Sequence, residues 1–205
     1  MALLQKSMLF LVFWASLQSD TGLFVREVSP VRRPVDAVGS GVTVIEVRLN
    51  RSAMPLTRVL AGESPFVEPA VQSLKSWSFA PQADAKLAFT SITFLFRPAI
   101  PNAVTIPVNP IVPLIQDGAY PAIPKEIVDP GYPATCLGGG AVVLEVRIDT
   151  KGRVTKVNTI SGPPAFVDDA ERAVKRWMFT PARLDGRLVT STSYVMISFI
   201  RPVAS

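Results

Sequence analysis

Two regions of the chain alternate apolar and polar residues with the period of a β-strand that buries one face. The apolar positions are Ile45, Val47 and Leu49 in the earlier region and Val142, Leu144, Val146 and Ile148 in the later one. In the later region, Asp149 to Gly152 follow as a predicted hairpin turn, because glycine adopts positive φ without steric cost. A returning strand is predicted over 154–160. The earlier region lacks the turn glycine, so its turn is expected to differ.

After Gly162 the hydrophobic period changes from two to that of a helix. The apolar face comprises Phe166, Ala170, Ala173, Val174 and Trp177. The charged residues expected in the first turn are Asp168, Asp169 and Glu171, and those expected in the last turn are Lys175 and Arg176, where they complement the helix dipole. An amphipathic helix is therefore predicted to pack on the sheet, with Trp177 in the core. Beyond Pro181, a turn at Asp185-Gly186 and a final strand over 193–200 are predicted.

The chain also repeats itself at a distance of about 100 residues. Eight of the twenty residues from Gly62 to Pro81 are identical to those from Gly162 to Pro181, including Trp77 and Trp177. The tripeptide 46–48, Glu-Val-Arg, likewise recurs at 145–147. The repeat predicts one module present twice, each with the order strand, strand, helix, strand.

We therefore predict an α+β fold with two tandem small domains, in each of which one helix packs on an antiparallel three-stranded sheet. The predicted boundaries are 1–21 for a signal peptide or short anchor, 22–98 for the first domain, 99–131 for a proline-rich linker and 132–205 for the second domain. Proline forbids regular helix through most of the linker. The linker is also more apolar than a solvated spacer, which indicates that part of it lies against a module.

An apolar run from Ser7 to Leu17 follows Lys6 near the start of the chain. A membrane-spanning helix needs roughly 20 such residues, whereas the core of a signal peptide needs about 7 to 15. The run therefore predicts export with cleavage. Because no small-x-small cleavage motif stands between Ala15 and Gly22, an uncleaved inner-membrane anchor is the alternative, and membrane contact is expected only in that case.

Composition excludes several function classes. The formal net charge is +5, but the Lys and Arg residues are scattered along the chain, which argues against nucleic-acid binding. The chain contains no His and a single Cys, Cys136, which excludes the usual zinc sites and His-assisted nucleophiles. Asp168 and Asp169 form the only conspicuous carboxylate pair, and a place at the start of a helix explains them. No catalytic residue, metal site or cofactor is predicted.

A set of motifs in the later module resembles the C-terminal domain of TonB. They are Tyr132-Pro133, the stretch 138–149 (GGGAVVLEVRID), Gly152 to Val154, Ser161-Gly162, the stretch 173–182 (AVKRWMFTPA), Asp185-Gly186 and Ile197 to Phe199. The resemblance covers 132–202 in the family's order and at compatible spacing, and extends more weakly to 41–98. The chain departs from a full energy transducer in having no His.

This resemblance implies a non-enzymatic periplasmic protein that captures the N-terminal segment of an outer-membrane transporter by adding it as a strand to a sheet edge. The edge it implies is the last strand, with the candidate partner-binding residues Tyr194, Val195, Met196, Ile197, Ser198, Phe199 and Ile200. Tyr132 and Pro133 are further candidates, for which a turn with a packed ring is an equally good explanation. The alternative is a scaffolding protein whose modules pair with each other and transmit no energy; homodimer formation also stays open.

Overall fold

The structure is a computed structural model that describes residues 22–202 except 30, 32, 35–36, 38, 51–53, 82–87, 98–103 and 112–117. The strands are β1 (Leu23–Glu27), β2 (Gly41–Leu49), β3 (Pro55–Ala61), β4 (Ser78–Pro81), β5 (Phe89–Phe96), β6 (Thr105–Pro107), β7 (Ile123–Val128), β8 (Gly140–Ile148), β9 (Val154–Ser161), β10 (Met178–Thr180), β11 (Ala182–Leu184), β12 (Arg187–Val189) and β13 (Ser191–Phe199). The helices are α1 (Val67–Leu74) and α2 (Pro164–Val174). The predicted signal peptide and parts of the predicted linker lie outside the described residues.

Six strands form one sheet in the order β3-β2-β5-β13-β8-β9. Within each half of this sheet the three strands are antiparallel, as the sequence predicts. The last strands of the two halves, β5 and β13, pair in parallel, with Tyr194 opposite Ile92 and Ser198 opposite Phe96. The prediction of two separate three-stranded sheets is therefore wrong. We call β1–β5 with α1 the first module, and β7–β13 with α2 the second module.

The two helices lie on opposite faces of the six-stranded sheet. Successive residues of a strand point to opposite faces. Along β13, Val195 and Ile197 join the core that contains the buried side of α2, whereas Tyr194 and Met196 join the core that contains the buried side of α1. All eight residues of β5 and eight of the nine residues of β13 are consequently buried. Burial on both faces is typical of parallel central strands.

Each module has additional strands that the sequence analysis missed. β1 pairs with β4 in the first module, and β7 pairs with β10 in the second. β7 and β6 both come from the predicted linker, and β6 pairs with the other side of β7. Ile123 and Ile127 of β7 are 1% and 0% exposed. This part of the predicted linker is thus a structural strand of the second module.

The predicted turns of the second module are present. Asp149 Oδ1 accepts hydrogen bonds from the backbone N–H groups of Lys151 and Arg153 at 2.8 and 2.9 Å, which closes the β8–β9 hairpin. Gly152 has φ of 78°, and a Cβ there would collide with the carbonyl oxygen of Phe179. Asp185 and Gly186 form the turn between β11 and β12, a short hairpin that the sequence analysis did not resolve.

The apolar face of α2 is confirmed, because Phe166, Ala170, Ala173 and Val174 are buried and Trp177 is 1% exposed. The predicted placement of its charges is wrong. The helix begins at Pro164, early enough that its first turn contains no acidic residue, and it ends at Val174, before Lys175 and Arg176. Two of the three acidic residues instead pair along the helix surface: Asp169 with Arg172, and Glu171 with Lys175 at 3.5 Å.

Candidate functional site

The predicted binding edge, the last strand, is not an edge. β13 pairs with β8 on one side and with β5 on the other. Of the seven candidate residues, Tyr194, Val195, Met196, Ile197, Ser198 and Phe199 are buried, and Ile200 follows the strand. The expectation that this strand offers free N–H and C=O groups along one side is therefore wrong, because the last strand of the first module already occupies that position.

Side-chain hydrogen bonds reinforce the junction between β5 and β13. The hydroxyl of Ser193 donates to the carbonyl oxygen of Ser91 at 2.8 Å, and the two hydroxyl oxygens lie 2.6 Å apart. The hydroxyl of Thr90 donates to the carbonyl oxygen of Thr192 at 2.8 Å. Ser91 also donates to the carbonyl oxygen of Ala122, directly before β7. Burying a hydroxyl group without a partner costs free energy, so the hydrogen bonds of these hydroxyl groups favour the paired arrangement of β5 and β13.

Tyr194 connects the sheet to β1 rather than to solvent. Its ring is buried, and its hydroxyl donates to the carbonyl oxygen of Leu23 and accepts from the N–H of Val25, both at 3.2 Å. Burial raises the pKa of Tyr194 well above its usual range, because the ionised phenolate would lose its hydration. In this arrangement Tyr194 is a neutral structural residue.

A buried ion pair joins the modules at the end of the junction. Arg97, directly after β5, pairs with Asp129, directly after β7, and both side chains are 0% exposed. Arg97 Nη2 lies 3.2 Å from Asp129 Oδ2, and the guanidinium lies 5.4 Å from the ring centre of Phe199. Asp129 Oδ1 also accepts the N–H of Gly131 at 3.0 Å. Such a pair is expensive to break, because either partner alone would be a buried charge.

Tyr132 and Pro133 lie at the start of the chain segment that enters β8. The ring of Tyr132 is half-buried and contacts Phe166 edge-on, with ring centres 5.9 Å apart. Its hydroxyl donates to the carbonyl oxygen of Gly138 at 2.6 Å, and the carbonyl oxygen of Pro133 accepts from the N–H of Cys136 at 3.0 Å. These contacts explain both residues structurally; their partner-binding role stays a prediction.

The outer strands of the six-stranded sheet are β3 and β9. In the part of the chain that the structure describes, β9 has β8 as its only strand partner, and six of its eight residues are exposed. β3 receives an additional contact, because the N–H of Ile111 donates to the carbonyl oxygen of Leu60 at 2.8 Å. The more open edge of the sheet therefore belongs to the second module, on the side away from β13.

A cavity of about 730 Å³ lies beside the end of β9. Its wall combines the residues that enter β8, the residues that leave β9, the end of β13 and a segment after β1. The lining residues include Val31, Arg33, Gly140, Val143, Gly162 and Phe199. The guanidinium of Arg33 donates to the carbonyl oxygens of Arg97, Ala37 and Gly39 at 2.6, 2.9 and 2.5 Å. The cavity is thus mostly apolar, with one charged side chain in its described lining.

Neither a metal site nor a membrane-spanning helix is found in the described residues. No three side chains of His, Cys, Asp or Glu come together there. Neither α1 nor α2 is long and apolar enough to cross a bilayer. The carboxylates of Asp168 and Asp169 lie on α2, where Asp169 pairs with Arg172.

One sequence feature could have revealed the closed edge. β5 reads Phe-Thr-Ser-Ile-Thr-Phe-Leu-Phe, with no charged residue and large side chains on both faces. A half-exposed strand alternates polar and apolar residues, whereas a strand covered on both faces does not. The last strand of the first module therefore has the sequence pattern of a central strand.

A comparison with known proteins finds a family match within the second module. Residues 138–200 match the family described as Gram-negative bacterial TonB protein C-terminal. The matched range runs from the start of β8 to the end of β13 and includes the β8–β9 hairpin and α2. No curated protein matches the chain.

Proposed function

We propose that the chain is a periplasmic protein-binding component of transport across the outer membrane, because its residues 138–200 match the TonB C-terminal family. The family is one of protein interaction and energy transduction rather than of catalysis, so the role is to bind a protein partner. The partner is a segment of an outer-membrane transporter or of another periplasmic protein.

The binding strand in this proposal is β9. A strand with an unpaired side presents a row of N–H and C=O groups that can pair with an extended peptide. The single observation that carries this choice is the pairing pattern: β13 is paired on both sides, whereas β9 is paired only with β8 among the described residues. Lys156 on β9 is compatible with this role and would also discourage indiscriminate pairing with other sheets.

A scaffolding function is the second candidate, and the β5–β13 pairing favours it. In this arrangement β5 pairs with the side of β13 that a captured segment would otherwise occupy, so each module covers the sheet edge of the other. A protein that only holds its modules together would bind no transporter segment and transmit no energy. The two functions differ in whether β9 accepts a strand.

The test measures binding of peptides from the N-termini of outer-membrane transporters, followed by amide hydrogen exchange of the complex. Strand addition predicts that a peptide with a central proline binds at least tenfold more weakly, because proline has no N–H to donate. It also predicts slower exchange over Val154–Ser161, with unchanged exchange over 55–58 on β3 as the internal control. Binding that ignores the proline would overturn strand addition, and the absence of any binding would favour the scaffold.

A further inference from the structure

The stretch of β9 that can pair regularly with an added strand is short. Two β-bulges interrupt its pairing with β8, because Thr155 and Ile160 are each an extra residue between paired neighbours. A bulge bends and twists its strand, which disturbs pairing at that point. Only residues 156–159 pair one to one with β8 between the bulges. These four residues therefore decide which segment the open edge can accept.

The first module shows how the equivalent edge is covered by the chain itself. Leu60 on β3 is the extra residue of a bulge at the position that corresponds to Ile160 on β9. Its carbonyl oxygen accepts the N–H of Ile111, and Leu60 is 3% exposed, whereas Ile160 is 36% exposed. Among the described residues, no backbone hydrogen bond from outside the sheet reaches Ile160. The edge of β9 is therefore the less covered of the two.

The side chains of residues 156–159 divide between the two faces of the sheet. Val157 packs against the core that contains α2, and the hydroxyl of Thr159 donates to Glu171 Oε1 on α2 at 2.9 Å. Val167, one helical turn before Glu171, lies on the same side of α2. Both Val157 and Val167 are only half-buried. An added strand would cover the remaining apolar surface of this face, so its residues that face α2 should be apolar.

The opposite face of the same stretch is positively charged. Asn158 lies opposite Glu145 and donates to its carboxylate at 2.9 Å, whereas Lys156 lies directly opposite Arg147. Like charges at opposing positions of an antiparallel pair repel each other. The exposed ammonium of Lys156 has no hydrogen-bond or ion-pair partner within the part of the chain that the structure describes. A carboxylate placed beside Lys156 would offset this repulsion.

The first module arranges its charges differently at the same positions. Leu56 lies opposite Arg48, and the second cation is Arg58. Both arginines bond to the carboxylate of Glu46, at 2.6 and 2.7 Å, so that their charge is partly offset within the module. In the second module the cation of the outer strand stands two positions earlier, at Lys156, where the facing residue is another cation. A positive charge thus lies at the open edge without a carboxylate opposite it.

We propose that β9 selects an extended segment whose alternate residues are apolar toward Val157 and Val167, and which carries an acidic residue beside Lys156 on the other face. This inference rests on the proposed function, in which β9 pairs with a segment of a protein partner. Main-chain hydrogen bonds hold the segment, and the side chains on its two faces determine which sequence is accepted. The acidic residue contributes to selection because charge complementarity disfavours segments with a cation at that position.

Three fluorescent peptides test this selection by fluorescence anisotropy with the purified protein. The acidic peptide is Val-Thr-Val-Glu-Val-Thr-Val, and the basic peptide has Lys in place of Glu. The rearranged peptide, Val-Val-Thr-Glu-Thr-Val-Val, keeps the composition and charge of the acidic peptide without its alternation. The acidic peptide is expected to bind about tenfold more tightly than either of the others at low salt. Its advantage over the basic peptide should shrink in about 1 M salt, which screens the charges.

A charge reversal tests whether Lys156 is the selecting side chain. Lys156→Glu should bind the basic peptide about tenfold more tightly than the acidic peptide, because the charge at the edge is inverted. Lys151→Glu makes the same change in net charge at an exposed position in the β8–β9 turn, and it should keep the preference of the unmodified protein. Both side chains are exposed, so similar melting temperatures are expected. An unchanged preference in Lys156→Glu, or a reversed one in Lys151→Glu, would overturn the proposal.

Amide exchange of the complexes separates this inference from the proposed function. The acidic peptide is expected to slow exchange over Val154–Ser161. If the acidic and basic peptides bind equally and both slow exchange there, β9 accepts a strand without selecting its charge, and only this inference fails. The same holds if transporter peptides slow exchange there and none of the three test peptides does. If no peptide of either set slows exchange in β9, both this inference and strand addition at β9 are overturned.

Discussion

The two modules share one fold but differ in how far the rest of the chain encloses them. The motif Glu-Val-Arg lies on the second strand of both. Glu46 is 2% exposed and accepts hydrogen bonds from Arg48 and Arg58 at 2.6 and 2.9 Å, and Arg48 also donates to the carbonyl oxygen of Ala119. Glu145 is half-exposed and bonds to Asn158 at 2.9 Å. The first module is therefore more enclosed at this position, while the second module, which contains the family match, has the more open sheet edge.

The ion pair between the modules should give the largest effect. Asp129→Ala leaves Arg97 buried without its carboxylate, and we expect a loss of about 3–5 kcal/mol in the free energy of unfolding. Urea denaturation measures it. Asp169→Ala, which removes an exposed pair, is the control and should cost less than about 1 kcal/mol. A change below about 1 kcal/mol for Asp129→Ala would show that the ion pair does not hold the modules together.

Much of each module could be predicted from the sequence, because its patterns are local. The alternation in β8, the turn at Gly152 and the apolar face of α2 each depend on a few neighbouring residues, and the structure has them. The position of β13 could not be predicted in the same way. Which strand lies next to it depends on a partner about 100 residues away, and the repeat favoured two independent sheets over one.

The missed strands have a related cause. β1 and β7 are short, contain few consecutive apolar residues and lie among prolines, so β7 resembled a linker. Their place is fixed by pairing with β4 and β10 and by the indole groups of Trp77 and Trp177, which are contacts distant in sequence. The prediction that β13 is the binding edge was wrong for the same reason. The sequence motifs indicate the family resemblance, but only the strand order shows which sheet edges are open.

The equivalent glutamates provide a sharper comparison of the modules. Glu46→Ala removes a buried acceptor of two arginines, and we expect a loss of about 1–3 kcal/mol in stability. Glu145→Ala, at the matching position on β8, should cost about 0.5 kcal/mol or less, as most surface substitutions do. Chemical denaturation of both variants gives the comparison. Equal losses would mean that the first module is no more enclosed than the second.

The paired serines test the junction itself. Ser91→Ala and Ser193→Ala each remove part of one buried hydrogen-bond network, so the double variant should cost less than the sum of the single ones. A double-mutant cycle is expected to give a coupling of about 0.5–1.5 kcal/mol. Additive effects would place the two hydroxyl groups apart in solution.

The smallest effect concerns the hairpin turns. The backbone N–H of Arg153, followed by that of Lys151, lowers the pKa of Asp149 by bonding its carboxylate. A lowered folded-state pKa stabilises the protein above the unfolded value of about 3.9, and this stability is lost as pH falls through the folded value. The first module has Asn50 at the equivalent position, which cannot titrate. The Asp149→Asn variant should therefore lose less stability in acid than the unmodified protein. Solvent screening keeps the difference in unfolding free energy between the two proteins below about 0.5 kcal/mol. If their stabilities change in parallel with pH, the lowered pKa of Asp149 is contradicted.

The central claim is that the two modules form one sheet through β5 and β13. Nuclear Overhauser contacts between backbone protons of these strands in the monomeric protein test it most directly. The parallel register predicts contacts between Val195 and Thr93 and between Met196 and Phe94. A sample that mixes labelled and unlabelled chains should show that these contacts form within one molecule. Absence of these contacts together with rapid amide exchange in β13 would show that its side is open, and would contradict the account.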